Sequence, residues 1–166
     1  MADGGRLSMG LESIYGDILN EHNLRPSHKG NLSDPTIRLE GKNPTCGDDI
    51  YLELKVGEDG TIEDGAFSGS GCAISQASVD IMLDLIIGET EERALELCGR
   101  FMGMIHGRAT EEDLEELDEA SVLKDISHMP ARVKCAVLGW HTMEEMIKNK
   151  DYSGHARGDH DYCTTE

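Results

Sequence analysis

Cations are scarce in this chain. Fifteen lysines and arginines stand against 33 aspartates and glutamates in 166 residues, a formal net charge of −18. Such a surface repels nucleic acid and anionic membranes, so neither is expected as a partner; a basic protein partner or simple solubility remains. Part of the charge is local: the stretch from Glu111 to Glu119 holds seven acids in nine residues. Long apolar runs are missing too. No run of about 18 apolar residues occurs, which excludes a spanning helix. The polar, glycine-rich stretch from Met1 to Gly10 lacks the apolar segment of a signal peptide. There is no phosphate-cradling loop, because Gly69-Ser70-Gly71 lacks the Lys-Ser/Thr ending. No serine occupies a nucleophile elbow. Hydrolase and nucleotide-binding readings therefore find little support.

The chain does have five cysteines. With no signal segment, they imply a reducing, cytoplasmic setting, where thiols bind metal or react rather than pair. The odd count also argues against a simple disulfide framework. The length suits one domain with a real core.

Periodicity gives the order of elements. Residues 1–10 read as a flexible lead, and 151–166 as a mobile tail without periodicity. Between them, 11–150 form the domain. Leu11, Ile14, Tyr15, Ile18 and Leu19 recur at helical spacing. A loop carrying Pro26, Gly30 and Pro35 follows. Ile37 and Leu39 suggest a short strand, and Ile50, Leu52, Leu54 and Val56 alternate with charge in the clearest strand. Glu58-Asp59-Gly60 turns the chain into a third strand, Thr61 to Ser68. The period then becomes helical: Ile74 to Leu85, stopped near Gly88; Glu91 to Met104; a short acidic helix from Glu111 to Leu117; and a long last helix opened by Pro130. Val133, Val137, Trp140 and Ile147 are its expected buried stripe. The expected class is α+β, a small three-stranded antiparallel sheet with helices packed on one face.

Three thiols fall at joints between these elements. Cys46 and Asp48 lie in a loop between strands, where Pro44 stiffens the approach and Gly47 permits a tight turn. The plainer role for Asp48 is to cap turn amides. Cys72 opens a helix after Gly69-Ser70-Gly71, where the helix dipole favours its thiolate; a small buried helix-start residue is the alternative. Cys135 sits about 200° around the last helix from Val133, off the expected stripe, with Arg132 three residues before it on roughly the same side. Cys46, Asp48, Cys72 and Cys135 are a sufficient ligand set for zinc and an acceptable one for an iron–sulfur cluster. Cys98 falls on an apolar helix face and reads as core. Cys163 reads as an incidental tail residue, and His22 and His28 as polar surface.

Three motifs then resemble one family. Asn43 to Asp48 (Asn-Pro-x-Cys-Gly-Asp), Gly69 to Ser78 (Gly-x-Gly-Cys-x-Ile-Ser-x-Ala-Ser) and Pro130 to Cys135 (Pro-Ala-Arg-x-Lys-Cys) are similar to those of the SufU/IscU iron–sulfur assembly family, the NifU N-terminal-like proteins. The likeness runs from about Leu11 to Lys148. Lys134, where IscU-like scaffolds carry histidine, and the long stretch between Gly107 and Pro130 resemble the SufU branch. That resemblance implies a zinc-dependent sulfurtransferase that takes persulfide sulfur from a SufS-type cysteine desulfurase and serves downstream iron–sulfur assembly proteins. It implies Cys46, Asp48, Cys72 and Cys135 as zinc ligands and Cys46 as sulfur acceptor assisted by Arg132. The alternative it carries is a scaffold holding iron or an iron–sulfur cluster. Glu21-His22-Asn23 departs from the Asp-His-Tyr that family members often show.

Overall fold

Alternation of apolar and polar residues builds three strands. In the computed structural model, which describes residues 16–149 and 162–164, these are β1 (Ile37–Asn43), β2 (Asp48–Val56) and β3 (Ile62–Ser70). They form an antiparallel meander in which Leu39 faces Leu52 and Leu52 faces Phe67. Successive side chains alternate between faces. Ile37 and Leu39 therefore share one buried face with Ile50, Leu52, Leu54 and Phe67. Asn43 and Asp48 continue that same inward series at the end of the sheet. Two polar side chains are thus placed on the core face where the apolar residues stop.

A fourth strand, β4 (Tyr162–Thr164), pairs in parallel with Glu40 to Lys42 of β1, giving the order β3-β2-β1-β4. The sequence reading left these residues in a structureless tail. Three residues are too few to display an alternation, so pattern alone could not find them. The rest of the expected tail, the lead, and Leu11, Ile14 and Tyr15 lie outside the described residues.

Helices cover the inner face. They are α1 (16–24), α2 (Ala73–Ile86), α3 (Glu91–Ile105), α4 (Glu111–Leu117) and α5 (Pro130–Lys148). Thr90 caps α3 through a bond from the Arg93 amide, and Thr110 with Asp113 forms a capping box on α4. Periodicity missed the 3-10 segment from Asp118 to His128, which buries Ala120, Val122, Leu123 and Ile126 between α4 and α5. No helix among the described residues is long and apolar enough to cross a membrane.

The α5 stripe needs correcting. Trp140 and Ile147 are buried, but Val133 and Val137 are only half-covered, and Cys135 is fully buried. A single-stripe argument fails because α5 is central and buries two faces. One packs on the sheet, where Gly41 leaves room for Thr142 and Leu138. The other meets α2 and α3. There Gly139 sits against Val79, Ser78 donates to the Ala136 carbonyl at 2.6 Å, and Trp140 stacks on Phe101 at 4.2 Å. Cys135 belongs to this buried surface.

Candidate metal centre

The turn between β1 and β2 carries Cys46. Its amide donates to the Asn43 carbonyl at 3.2 Å, and Gly47 takes a φ of +71°, which a side chain would strain. Cys46 is exposed, and its thiol reaches the Ala131 carbonyl at the start of α5 at 3.9 Å. Two residues on, Asp48 is 2% exposed. Its Oδ1 accepts from the Cys72 amide at 2.7 Å and the Ser75 hydroxyl at 3.2 Å. Its Oδ2 accepts from the Asn43 amide at 3.2 Å.

Cys72 is the N-cap of α2, and its sulfur accepts the Ser75 amide at 3.4 Å. The approach to it is tight. A Cβ on Gly71 would collide with the Ser75 hydroxyl and come within 3.1 Å of Asp48 Oδ1. Glycine is therefore required there if Asp48 is to meet the helix start. Cys135 enters from α5, and Asn43 Nδ2 lies 3.5 Å from its sulfur.

Ligand atoms of Cys46, Asp48 and Cys135 lie within 4.8 Å of one another. Cys72 stands outside that group of three, tied to Asp48 through its amide and near enough to Cys135 to raise that thiol. Burial pushes the Cys135 thiol strongly up from its ordinary range, and Cys46, Cys72 and Asp48 push it further. A buried thiol facing two more sulfurs and a carboxylate is unfavourable as a thiolate unless a cation neutralises it. Three sulfurs with one carboxylate are the donor chemistry that Zn²⁺ accepts, so the residues fit that ion.

Arg132 is exposed on the first turn of α5, and its side chain makes no hydrogen bond or ion pair among the described residues. Cys46, Asp48 and Cys135 thus converge, Cys72 stands beside them at the helix cap, and Arg132 lies at the rim. Cys98 is wholly buried, with its thiol pushed up to about 12 by burial and Glu144, so it packs rather than reacts. Cys163 falls on β4, and its side chain is outside what is described.

Sequence reasoning gave no role to Asn43 or Ser75, although both stand inside the quoted motifs. Their signal was positional. Asn43 faces Asp48 across the hairpin, and Ser75 is three residues after the cap. The surface reading of His22 is also corrected. His22 is 8% exposed and bridges Asp80 at 2.7 Å and Glu119 at 3.0 Å. Its polarity marked it as surface, but two carboxylates satisfy both ring nitrogens inside. His28 is tied to Asp84 at 2.6 Å.

Comparison with known proteins finds relatives that span most of the chain. The profile of the NifU-like N terminal domain matches residues 14–102. An iron–sulfur cluster assembly scaffold protein IscU of Streptococcus pyogenes is 40% identical, over 87% of this chain and 89% of the relative. A zinc-dependent sulfurtransferase SufU of Bacillus subtilis is 36% identical, over 85% of this chain and 94% of the relative. A structure from Fervidobacterium islandicum, described as a candidate iron–sulfur cluster assembly scaffold for the SUF system, is 32% identical with a TM-score of 0.74. That match covers 78% of this chain and 93% of the other.

Proposed function

The chain belongs to the IscU/SufU family of iron–sulfur cluster assembly proteins, built on the NifU-like N-terminal domain, and on that premise we propose that it is a zinc-dependent sulfur carrier fed by a cysteine desulfurase. The observation that carries this reading is an asymmetry of exposure. Cys46 is exposed on a turn, while Asp48 and Cys135 are buried and Cys72 is fixed at a helix cap. A group of thiols with one exposed member, beside a half-buried one at the cap and a fully buried one, suits receipt of sulfur from another protein.

Cys46, Asp48, Cys72 and Cys135 would hold zinc, which when bound supplies thiols that stay deprotonated near neutral pH. The acceptor is Cys46. Its thiolate attacks the outer sulfur of the desulfurase persulfide, forming a new S–S bond. The old S–S bond breaks, and its electron pair leaves with the desulfurase cysteine as thiolate. Arg132 stands at the mouth, beside the Ala131 carbonyl that Cys46 touches. Its charge would draw the anionic persulfide toward the turn. Asn43 and Ser75 hold the Asp48 carboxylate in place.

A scaffold reading, in which a cluster is built on the same thiols, draws on the streptococcal relative named as a scaffold. Lys134, half-buried beside Cys135, favours the carrier, because lysine offers no ligand where a histidine could bind iron. Anaerobic purification with metal analysis and an absorption spectrum separates the two. Zinc with no visible band, together with faster turnover of a cysteine desulfurase, is expected. Iron with a sulfur charge-transfer band would replace the carrier with the scaffold.

A further inference from the structure

The fifth thiol of the chain returns to the sheet that carries the other three. β4 lies along the edge of β1 away from β2 and runs parallel to it, with Tyr162 opposite Glu40, Cys163 opposite Gly41 and Thr164 opposite Lys42. Gly41 belongs to the buried series Ile37, Leu39, Gly41 and Asn43 of β1. Asn43 is the next member after Gly41, and its Nδ2 lies 3.5 Å from the Cys135 sulfur. Cys163 is therefore registered one place short, in that series, of a residue that touches the thiol centre. We propose that Cys163 is a substitute zinc ligand, which takes the position of Cys46 when that thiol leaves the metal.

The inference rests on the proposed assignment of Cys46, Asp48, Cys72 and Cys135 to zinc, and not on the sulfur transfer itself. Zinc held by protein thiols is almost always four-coordinate. Cys46 is the ligand on an exposed turn, and its departure with sulfur leaves Asp48, Cys72 and Cys135, one donor short. Of the five cysteines in the chain, two are then outside the centre. Cys98 is wholly buried on α3, against the Trp140 carbonyl and Glu144, and cannot come without opening the core. Cys163 is the thiol that the strand pairing brings near. Thiolate replaces thiolate, so the charge of the centre is unchanged, and Cys163 releases its proton to solvent as it binds.

Register gives it a way in. A strand rises about 3.3 Å per residue, so Gly41 and Asn43 are about 6.6 Å apart along β1. Side chains alternate with a period of two, so an advance of β4 by two residues keeps each residue on its face and sets Cys163 opposite Asn43. Three pairs resist such an advance weakly. Parallel pairing is the less stable kind, and Gly41, in the middle of the three, has no side chain to lock the register. The backbone bonds given up at one register are remade at the next, and the bond to zinc is gained.

Cobalt(II) tests this without any sulfur transfer, because each thiolate ligand adds to its sulfur-to-metal charge-transfer band. Full-length wild type, Cys46→Ala and Cys46→Ala/Cys163→Ser are each loaded with one equivalent of Co²⁺, and their zinc affinities are measured by competition with a chromophoric chelator. Cys46 is exposed on a turn, so its removal leaves the fold intact. Cys46→Ala should keep a band of three-thiolate intensity. Adding Cys163→Ser should remove one thiolate's share of the band and weaken zinc binding by about tenfold or more. Cys46→Ala/Cys98→Ala, which has the same number of thiols as that double variant, should match Cys46→Ala. A two-thiolate band already in Cys46→Ala, or equal bands and affinities with and without Cys163, would overturn the proposal and leave the four-ligand centre standing. Absence of the band from the wild type would remove the zinc assignment, and this inference with it.

Discussion

Asn43 and Asp48 face each other across the β1–β2 hairpin, and the Asn43 amide lies 3.2 Å from the Asp48 carboxylate and 3.5 Å from the Cys135 sulfur. Its two N–H bonds thus go to two candidate ligands that arrive from a strand and a helix. The Asn43 Oδ1 is buried without a partner among the described residues. A buried carbonyl left unpaired costs roughly 1–3 kcal/mol. Aiming both N–H groups at the centre therefore takes precedence over satisfying the whole side chain.

Asn43→Ala removes both bonds and leaves every thiol in place. Supporting residues of this kind typically change metal affinity by about 10–100-fold. Zinc affinity, measured by competition with a chromophoric chelator, should fall by that order while the circular dichroism spectrum is kept. Unchanged affinity would remove Asn43 from the centre.

Cys72 and Cys98 make a matched pair of substitutions. Both are cysteines on helices, but Cys72 caps α2 beside Asp48, and Cys98 is buried against Trp140 and Glu144. Cys72→Ala should lose zinc, and chelation of the wild type should lower its stability, since metal held only by the native state adds to folding free energy. Cys98→Ala should keep zinc and lose about 1–3 kcal/mol through the small cavity it opens. Equal zinc content in the two purified variants would refute the ligand assignment.

His22 gives the fold a pH dependence whose sign can be worked out. Burial pulls its pKa down, but the hydrogen bonds to Asp80 and Glu119 more than reverse that, so the net shift is upward from 6.5. Asp17, Glu21 and Asp84 add further negative charge nearby. A raised folded pKa stabilises the protein fully below the unfolded value, and that stabilisation is lost as pH rises through the folded one. In chelator-treated buffer, the urea midpoint should therefore fall as pH rises above 6.5, and the fall should shrink in His22→Gln. An equal fall in both proteins would show that His22 contributes nothing to it.

Much of this architecture was legible because its signals are periodic. Ile50, Leu52 and Leu54 alternate, and Thr110, Glu111 and Leu117 bracket a capped helix, so β2 and α4 follow from local chemistry. Cys46 and Cys72 stand out in the sequence because each lies at a joint beside glycine. What pattern missed was decided by tertiary context. Cys135 is buried because α5 has neighbours on two sides, which one stripe cannot reveal. His22 is buried because Asp80, 58 residues away, waits for it inside. The strand at Tyr162 exists through its pairing with β1 and has no pattern of its own.

The burial of Cys135 bears on which thiol takes up sulfur. Cys135, with Arg132 three residues before it, is the other thiol whose claim must be weighed. It is in fact 0% exposed, and its thiol is pushed strongly up by burial. Attack on a partner's persulfide needs a thiolate that can reach it, and Cys135 would have to break the start of α5 to do so. Cys72 is tied at a helix cap by the Ser75 amide. Cys46 rests on a turn, against one carbonyl at 3.9 Å, and can move with little loss of structure. After brief exposure to a cysteine desulfurase and cysteine, peptide mass spectrometry should find the added sulfur on Cys46 first. Cys46→Ala should abolish acceptance. Arg132→Ala should slow it while leaving zinc content unchanged, because the arginine stands at the rim and outside the ligand set. Asp48→Ala should weaken zinc binding with every thiol retained, which separates the need for metal from the need for the acceptor. Persulfide appearing first on Cys135, with Cys46 unmodified, would overturn the assignment of the acceptor and leave the zinc centre standing.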